Sequence, residues 1–359
     1  MGLGAIVVVG AELRSFSSAA PQGSAEESLF AEPLPCIEIL GRSMMERTIE
    51  RFVRAGVEVV SVLVSAEVSY AVQPLSTALR NIDLEVVADV GSAVIQKFDQ
   101  YLRDGIEHTF VMSASIYTET DLLDMFYFHR EGRRSATRAF DSEVPLDLWV
   151  VDCAKGQQYN LDNLLEEAQG AGSSYFIREY VSRLSHPRDL RRLVSDALRG
   201  GCGIRPSGTE VKPGIWVGEG AEVHRRARIV APAYVGGGSK VKEDTLITRF
   251  SSIERGCYVD YGTVVEDSSI LANTHIGIWL DVCHSVARES KLFNLEHNVI
   301  LEISDPSIMR ATNAVREGTR NVFGVSHGSR PTVADLQAEQ EEETPAPKGW
   351  QLGANPIQG

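Results

Sequence analysis

The sequence predicts an α/β domain built on a parallel sheet, followed by a parallel β-helix. Three observations predict this. From residue 5 to residue 132, short apolar runs alternate with amphipathic stretches of helical period. From Val217 to Leu271 an aliphatic residue stands at every sixth position without a gap. Between the two lies GGCGIRPSGTEVKPG, whose glycines and prolines read as a linker. The expected organisation is an α/β domain over 1–200, a linker over 201–214, the β-helix over 215–310 and a poorly ordered tail over 311–359, which carries the acidic run Glu341-Glu342-Glu343.

In the first half, Ile6-Val7-Val8-Val9 reads as a buried strand running into Gly10. SMMERTIERFVRA (43–55) reads as a helix with Met45, Ile49, Phe52 and Val53 on its apolar side, stopped by Gly56. A strand over 57–65, a helix over 68–81, a strand over 84–89 and a helix over 92–105 follow. A strand over 108–114 and a helix over 119–132 complete the alternation. Such an order implies helices on both faces of the sheet. Ligands in these sheets bind beyond the carboxyl ends of the strands, so the informative residues should follow Val9, Asp89 and Met112. Arg188, Arg191, Arg192 and Arg199 suit the solvated face of a further helix.

In the second half, Val217, Val223, Ile229, Val235, Val241, Ile247, Ile253, Val259, Val265 and Leu271 form the aliphatic column. Two places before nine of them stand Ala221, Ala227, Ala233, Ser239, Thr245, Ser251, Cys257, Thr263 and Ser269, all small. At the chain's 43% hydrophobic content, ten successive hits arise by chance about 2 times in 10,000, which excludes coincidence. The aliphatic column should fill the interior of the coil and the small column its tight corners. Beyond 271 the register continues less cleanly through Ile276 and Val282.

Composition bounds the function. The formal net charge of −14 disfavours nonspecific binding to nucleic acid or an anionic membrane surface. No apolar run approaches the ~20 residues of a membrane span, and no secretory signal stands at the N-terminus. The five scattered cysteines lack metal-ligand spacing, and reduced thiols in a cytoplasmic setting are the expectation.

Several segments resemble the sugar-nucleotidyltransferase (nucleotide-sugar pyrophosphorylase) family. PLPCIEILGRSMMERTIERFVRAGV (33–57) is similar to the segment after the family's signature loop. VGSAV (90–94) is similar to its Gly-Thr-Ala motif near the base, and TFVMSASIYTETDLLDMFYFHRE (109–131) to its central strand, acidic turn and helix. SSILANTHIGIWLDVCHSVARESKLFNL (268–295) and VILEISDPSIM (299–309) resemble the β-helix end of homologues found with bacterial surface-polysaccharide synthesis. The resemblance covers about residues 5–310 and implies a Rossmann-like nucleotidyltransferase domain and a left-handed parallel β-helix.

The family transfers a nucleotidyl group from a nucleoside triphosphate to a sugar 1-phosphate. Its catalysis is electrostatic positioning by a glycine-rich loop with an arginine, a lysine, and carboxylates on magnesium. Matched residue by residue, this chain lacks most of these parts. Gly10 is kept, Glu12 brings negative charge, and Arg14 is a candidate displaced arginine. A carboxylate ~4 Å from a phosphate costs about 4 kcal/mol per unit charge at an effective dielectric near 20, before screening. Leu34 replaces the lysine of Pro-Lys-Pro, and Ser115 falls where the magnesium-binding aspartate belongs. Ser185-His186-Pro187 stands near the second metal position with no acid just upstream. Gly91, Ser92 and Ala93 are the best-kept pocket residues, although Ser92 also reads as a helix N-cap.

The expected residual nucleotide pocket is therefore Gly10, Arg14, Gly91, Ser92, Ala93 and Ser115, with no catalytic residue, no metal and no cofactor. The expected role is a catalytically degenerate family member in polysaccharide biosynthesis: regulatory, scaffolding or binding a nucleotide or nucleotide-sugar. It would self-associate or bind a partner protein through the β-helix. Two alternatives stay open. One is an active pyrophosphorylase using noncanonical ligands, with Arg14 as the displaced arginine, Asp121 as a candidate metal ligand and Mg²⁺ as cofactor. The other is a hexapeptide acyltransferase with His224, His275, His284 or His297 as general base, each of which also reads as a surface or corner histidine.

Overall fold

The computed structural model describes residues 2–10, 33–68, 82–158 and 173–312. The expected helix over 68–81 and tail over 311–359 lie largely outside them; Val68 closes a 3₁₀ turn and Met309–Ala311 form a strand.

The first half is a seven-stranded sheet of β1 (Gly2–Val9), β2 (Val59–Ser65), β3 (Asp83–Val87), β4 (Ile106–Ser113), β5 (Ala136–Asp141), β6 (Val144–Asp152) and β7 (Ser174–Ile177). Its order is β7-β5-β6-β4-β1-β2-β3. The sheet is mixed, which corrects the all-parallel expectation. β4, β1, β2 and β3 run parallel, whereas β6 is antiparallel to both β4 and β5. Only two residues, Ser142 and Glu143, separate β5 from β6, a hairpin too short for a parallel crossover.

β1 is buried along its whole length because both faces of the sheet are covered. Ala5, Val7 and Val9 face α1 (Met44–Arg54) and α3 (Leu122–Glu131), packing with Ile49, Phe52, Met125 and Phe126. Ile6 and Val8 face the other way, onto Val94, Phe98 and Tyr101 of α2 (Val90–Arg103). α1 starts at a capping box, Ser43 with Glu46. Val53, expected on the apolar side of α1, is exposed: its position lies at the margin of the stripe that meets the sheet.

The second half visits three sheets in turn, each strand pairing in parallel with one on the next coil. Val235 meets Ile253, Val241 meets Val259, and Ile247 meets Val265, an 18-residue coil of three six-residue sides. Hydroxyls of the small column stitch the corners. Ser239 Oγ donates to the Glu254 carbonyl (2.7 Å) and accepts the Cys257 amide (3.1 Å). Thr263 Oγ1 does the same with the Gly277 carbonyl (2.6 Å) and the Leu280 amide (3.2 Å).

The six-residue register breaks twice, first between Val265 and Ile270 and again between Val282 and Ala287, where Ile270 pairs with Ala287. Ile253 pairs with Ile270, so this coil has 17 residues and Ile270 takes the interior place expected of Leu271. The first missing residue falls at the corner containing Asp267, whose φ is 45°. Leu271 turns instead toward the α/β domain. Val223 and Ile229, on the first coil, are less buried than the column predicts, because no coil stacks on their outer side.

The two halves share a core. Ile37, Ile39, Leu40 and Met44 join Leu190, Leu193 and Val194 of a late helix against Tyr234, Leu271, Val286 and Phe293 of the coil. After a short helix α4 (Cys153–Gln158), this late helix is α5 (Pro187–Arg199). Arg191 on α5 corrects the solvated-face expectation. It is buried, pairs with Asp267 (2.6 Å), and donates to the carbonyls of Asp267 and Arg249. Within the expected linker, Ile204 is buried and Thr209–Lys212 form a strand paired with Ile215–Val217.

Candidate functional site

β1, β2, β3 and β4 end on the same side of the sheet, where the pocket residues were expected. Gly10 follows β1 in the left-handed region, at φ 76°. A Cβ there would run into Val68 Cγ2, so packing alone requires this glycine. Arg14 and Glu12 lie outside the described residues.

Beyond β3, Asp89 caps α2 and consumes the donors a phosphate would use. Its carboxylate accepts the amides of Gly91 (3.3 Å) and Ser92 (3.2 Å), and the Ser92 hydroxyl. The N-cap is thus Asp89, not Ser92, which sits in the first turn. The Ser92 hydroxyl, then the two amides, hold the Asp89 carboxyl below its ordinary range. Ala93 is buried against the sheet.

Beyond β4, Ser113 Oγ and Ser115 Oγ bond each other at 2.7 Å, and the Ser115 amide donates to Ser113 Oγ at 3.3 Å. Asp121 caps α3, its Oδ1 accepting the amides of Leu123 (2.9 Å) and Asp124 (3.2 Å). Glu119 accepts from the Tyr117 hydroxyl at 2.9 Å and from the Gly203 amide. Leu34 packs toward the shared core between the halves. Among the described residues here, two neutral hydroxyls bond each other, Asp121 accepts backbone amides, and Glu119 accepts the Tyr117 hydroxyl and the Gly203 amide, a set unlike the free carboxylates that magnesium takes. Among the described residues, no three His, Cys, Asp or Glu side chains converge as a metal set.

The coil histidines separate into different kinds. His224 Nδ1 accepts the Arg226 amide (3.3 Å), and His297 is exposed. His275 is buried, against the surface expectation, because its strand is covered by Met309–Ala311; burial holds its imidazole below its ordinary range. His284 Nδ1 meets Asp267 Oδ2 at 2.7 Å, while Asp267 Oδ1 is held by buried Arg191. Spacing could not bring these three together, because Arg191 comes from the other half of the chain. His186 caps α5, with its Nδ1 accepting the Arg188 amide at 3.0 Å.

One feature at the opposite end of the sheet escaped the sequence reading. His108, near the start of β4, pairs in register with Asp152 at the end of β6. With His129, Arg130, Arg133, Arg134 and Lys155 they line a cavity of about 300 Å³. The basic run His129-Arg130 to Arg133-Arg134 was the available signal, but only the β4–β6 pairing adds His108 and Asp152 to it.

All five cysteines are free thiols. Among the described residues no helix is long and apolar enough to cross a membrane. No protein-family model matches the chain, and no curated protein matches it either.

Proposed function

We propose that this chain is a sugar-nucleotidyltransferase-like protein that has given up metal-dependent nucleotidyl transfer and serves as a regulatory, scaffolding or nucleotide-sugar-binding subunit in polysaccharide synthesis. The observation that carries it is the Ser113–Ser115 hydroxyl pair at 2.7 Å at the end of the central strand. A hydroxyl pair cannot offset the charge of a divalent ion and a triphosphate as carboxylates do. Asp89 supports the same reading, since its charge sits on the α2 amides that would otherwise greet an anion. In this reading the coil is a left-handed β-helix, the protein is cytoplasmic, and the coil surface mediates self-association or partner binding.

The test is to incubate the full chain with each nucleoside triphosphate, a panel of sugar 1-phosphates and Mg²⁺. Pyrophosphate release should stay at the blank, while calorimetry detects nucleotide or nucleotide-sugar binding. Robust turnover that disappears in Asp121→Ala would establish the active alternative instead.

A second reading has its own observation. His284 bonded to Asp267 is the arrangement of an oriented general base, as acyl transfer to a hydroxyl or amine requires. Consumption of acyl-CoA in the presence of amino- or hydroxy-sugar acceptors, abolished by His284→Ala, would favour it.

A further inference from the structure

We propose, on the reading of the coil as the self-associating part of the chain, that one named side of it pairs two copies antiparallel about a two-fold axis. That side is the four-stranded sheet of Arg228–Ile229, Leu246–Thr248, Val264–Glu266 and Asp281–Cys283.

Ile229, Ile247, Val265 and Val282 point into the coil, so alternation along each strand turns their neighbours outward. The register aligns Arg228, Leu246, Val264 and Asp281 in one outward row across the four strands. The α/β half packs on a different sheet of the coil, the one carrying Tyr234, Val286 and Phe293.

The side is apolar where a solvated sheet face would be polar. Leu246 and Val264 occupy the middle of the outward row, and Val230, just after the first strand, is 44% exposed. The corner leading into the sheet stacks Arg225-Arg226, Glu243-Asp244, Tyr261-Gly262 and Ile278-Trp279 on successive coils. Ile278 and Trp279 are 57% and 68% exposed. Trp279 is nonetheless fixed in place. It lies on Gly262, where a Cβ would strike its ring, and its ring stands edge-on to Tyr261 at 5.2 Å between centroids. Contiguous exposed apolar side chains of this kind mark an interaction surface.

Charge selects a second copy as the occupant. The outward row reads cation, apolar, apolar, anion. Turning a second copy end over end, about an axis parallel to the strands and between the second and third, lays Arg228 on Asp281 of the second copy. The same contact recurs on the other side of the axis, and Leu246 meets Val264 between them. The Arg225-Arg226 corner then meets the corner of Trp279, a cation against an indole. Turning the copy about the coil axis instead would bring Arg228 level with Arg228 and Asp281 level with Asp281. Neighbouring charges are satisfied within the chain: Arg226 pairs with Asp244 at 2.6 Å and Arg249 with Glu266 at 2.7 Å. Arg228 and Asp281 form no ion pair among the described residues. A patch in which one residue meets another and is met by it in return is what a two-fold interface requires.

The experiment is sedimentation equilibrium of the full chain at low salt, alongside Arg228→Asp, Asp281→Arg and the double exchange Arg228→Asp/Asp281→Arg. All four side-chain changes are on the surface, and circular dichroism checks that the variants fold alike. We expect a mass twice the 39.3 kDa of one chain, with a dimer Kd of about 10 µM or tighter. Each single variant should raise Kd about tenfold or more, because it sets like charges together at both contacts. The double exchange should return Kd to within about threefold of the original. A chain that stays monomeric up to about 100 µM would overturn the proposal and leave this side to a partner of another sequence. Single variants that dimerise as before, or a double exchange no tighter than the singles, would overturn it too. Pyrophosphate release and nucleotide binding do not enter these measurements, so the nucleotidyltransferase reading and the dimer can fail separately.

Discussion

Glu254 and Leu40 lie 214 positions apart, yet the carboxylate of one accepts the backbone amide of the other at 3.0 Å. The second carboxylate oxygen takes the Gly41 amide, also at 3.0 Å. Leu40 and Gly41 both have positive φ, 53° and 85°, and a Cβ on Gly41 would strike the Tyr234 hydroxyl. This joint locks a tight turn of the α/β half onto the coil.

Burial pushes the Glu254 carboxyl up to about 8 from an ordinary 4.5, with the two amides pulling the other way. Folding therefore takes up a proton between those pH values. The stabilisation is fully present below pH 4.5 and is lost as pH rises through about 8. Thermal unfolding should show a fall in Tm from pH 5 to pH 8.5 that is clearly smaller in Glu254→Gln. Equal slopes in the two proteins would refute this. Glu254→Ala should cost about 2 kcal/mol, from the amides left unpartnered.

Arg191 and Asp267 form the second joint, and the two partners are unequally buried, with side chains 6% and 36% exposed. Removing the acid strands a buried cation, whereas removing the arginine leaves an acid that water reaches. Asp267→Ala should therefore cost about 3–5 kcal/mol in urea unfolding, and Arg191→Met less. The reverse order would mean that Asp267, not Arg191, bears the desolvation.

The shortened coil separates two neighbouring residues. Ile270→Asn should abolish stable folding or lower Tm by ten degrees or more, because Ile270 fills the coil interior. Had the six-residue period run unbroken, Leu271 would be the interior residue and Ile270 would tolerate the change. Soluble expression with an unchanged Tm would restore the unbroken register.

Asp89 and Asp121 act as caps. Replacing either with alanine should cost about 1 kcal/mol, and replacement with asparagine much less. The loss should be the same with and without millimolar Mg²⁺. A loss that grows in the presence of Mg²⁺ would identify a metal ligand in Asp121.

Periodicity alone determined the architecture at the level of elements. The alternation in the first half placed β1, α1, α2 and α3 within a few residues, and the six-residue column marked every coil through Val265. These are local signals: a strand or corner must present the right side chain at a fixed spacing wherever it packs. Tertiary structure decided what spacing cannot carry. It inserted antiparallel β6 into the sheet, shortened the coil at Asp267, and assigned Gly91 and Ser92 amides to Asp89. It also joined Glu254 to Leu40, Arg191 and His284 to Asp267, and His108 to His129. Hydrogen bonds and charges act over a few ångströms in space and are blind to distance along the chain. Only the packed fold reveals which polar groups have found partners.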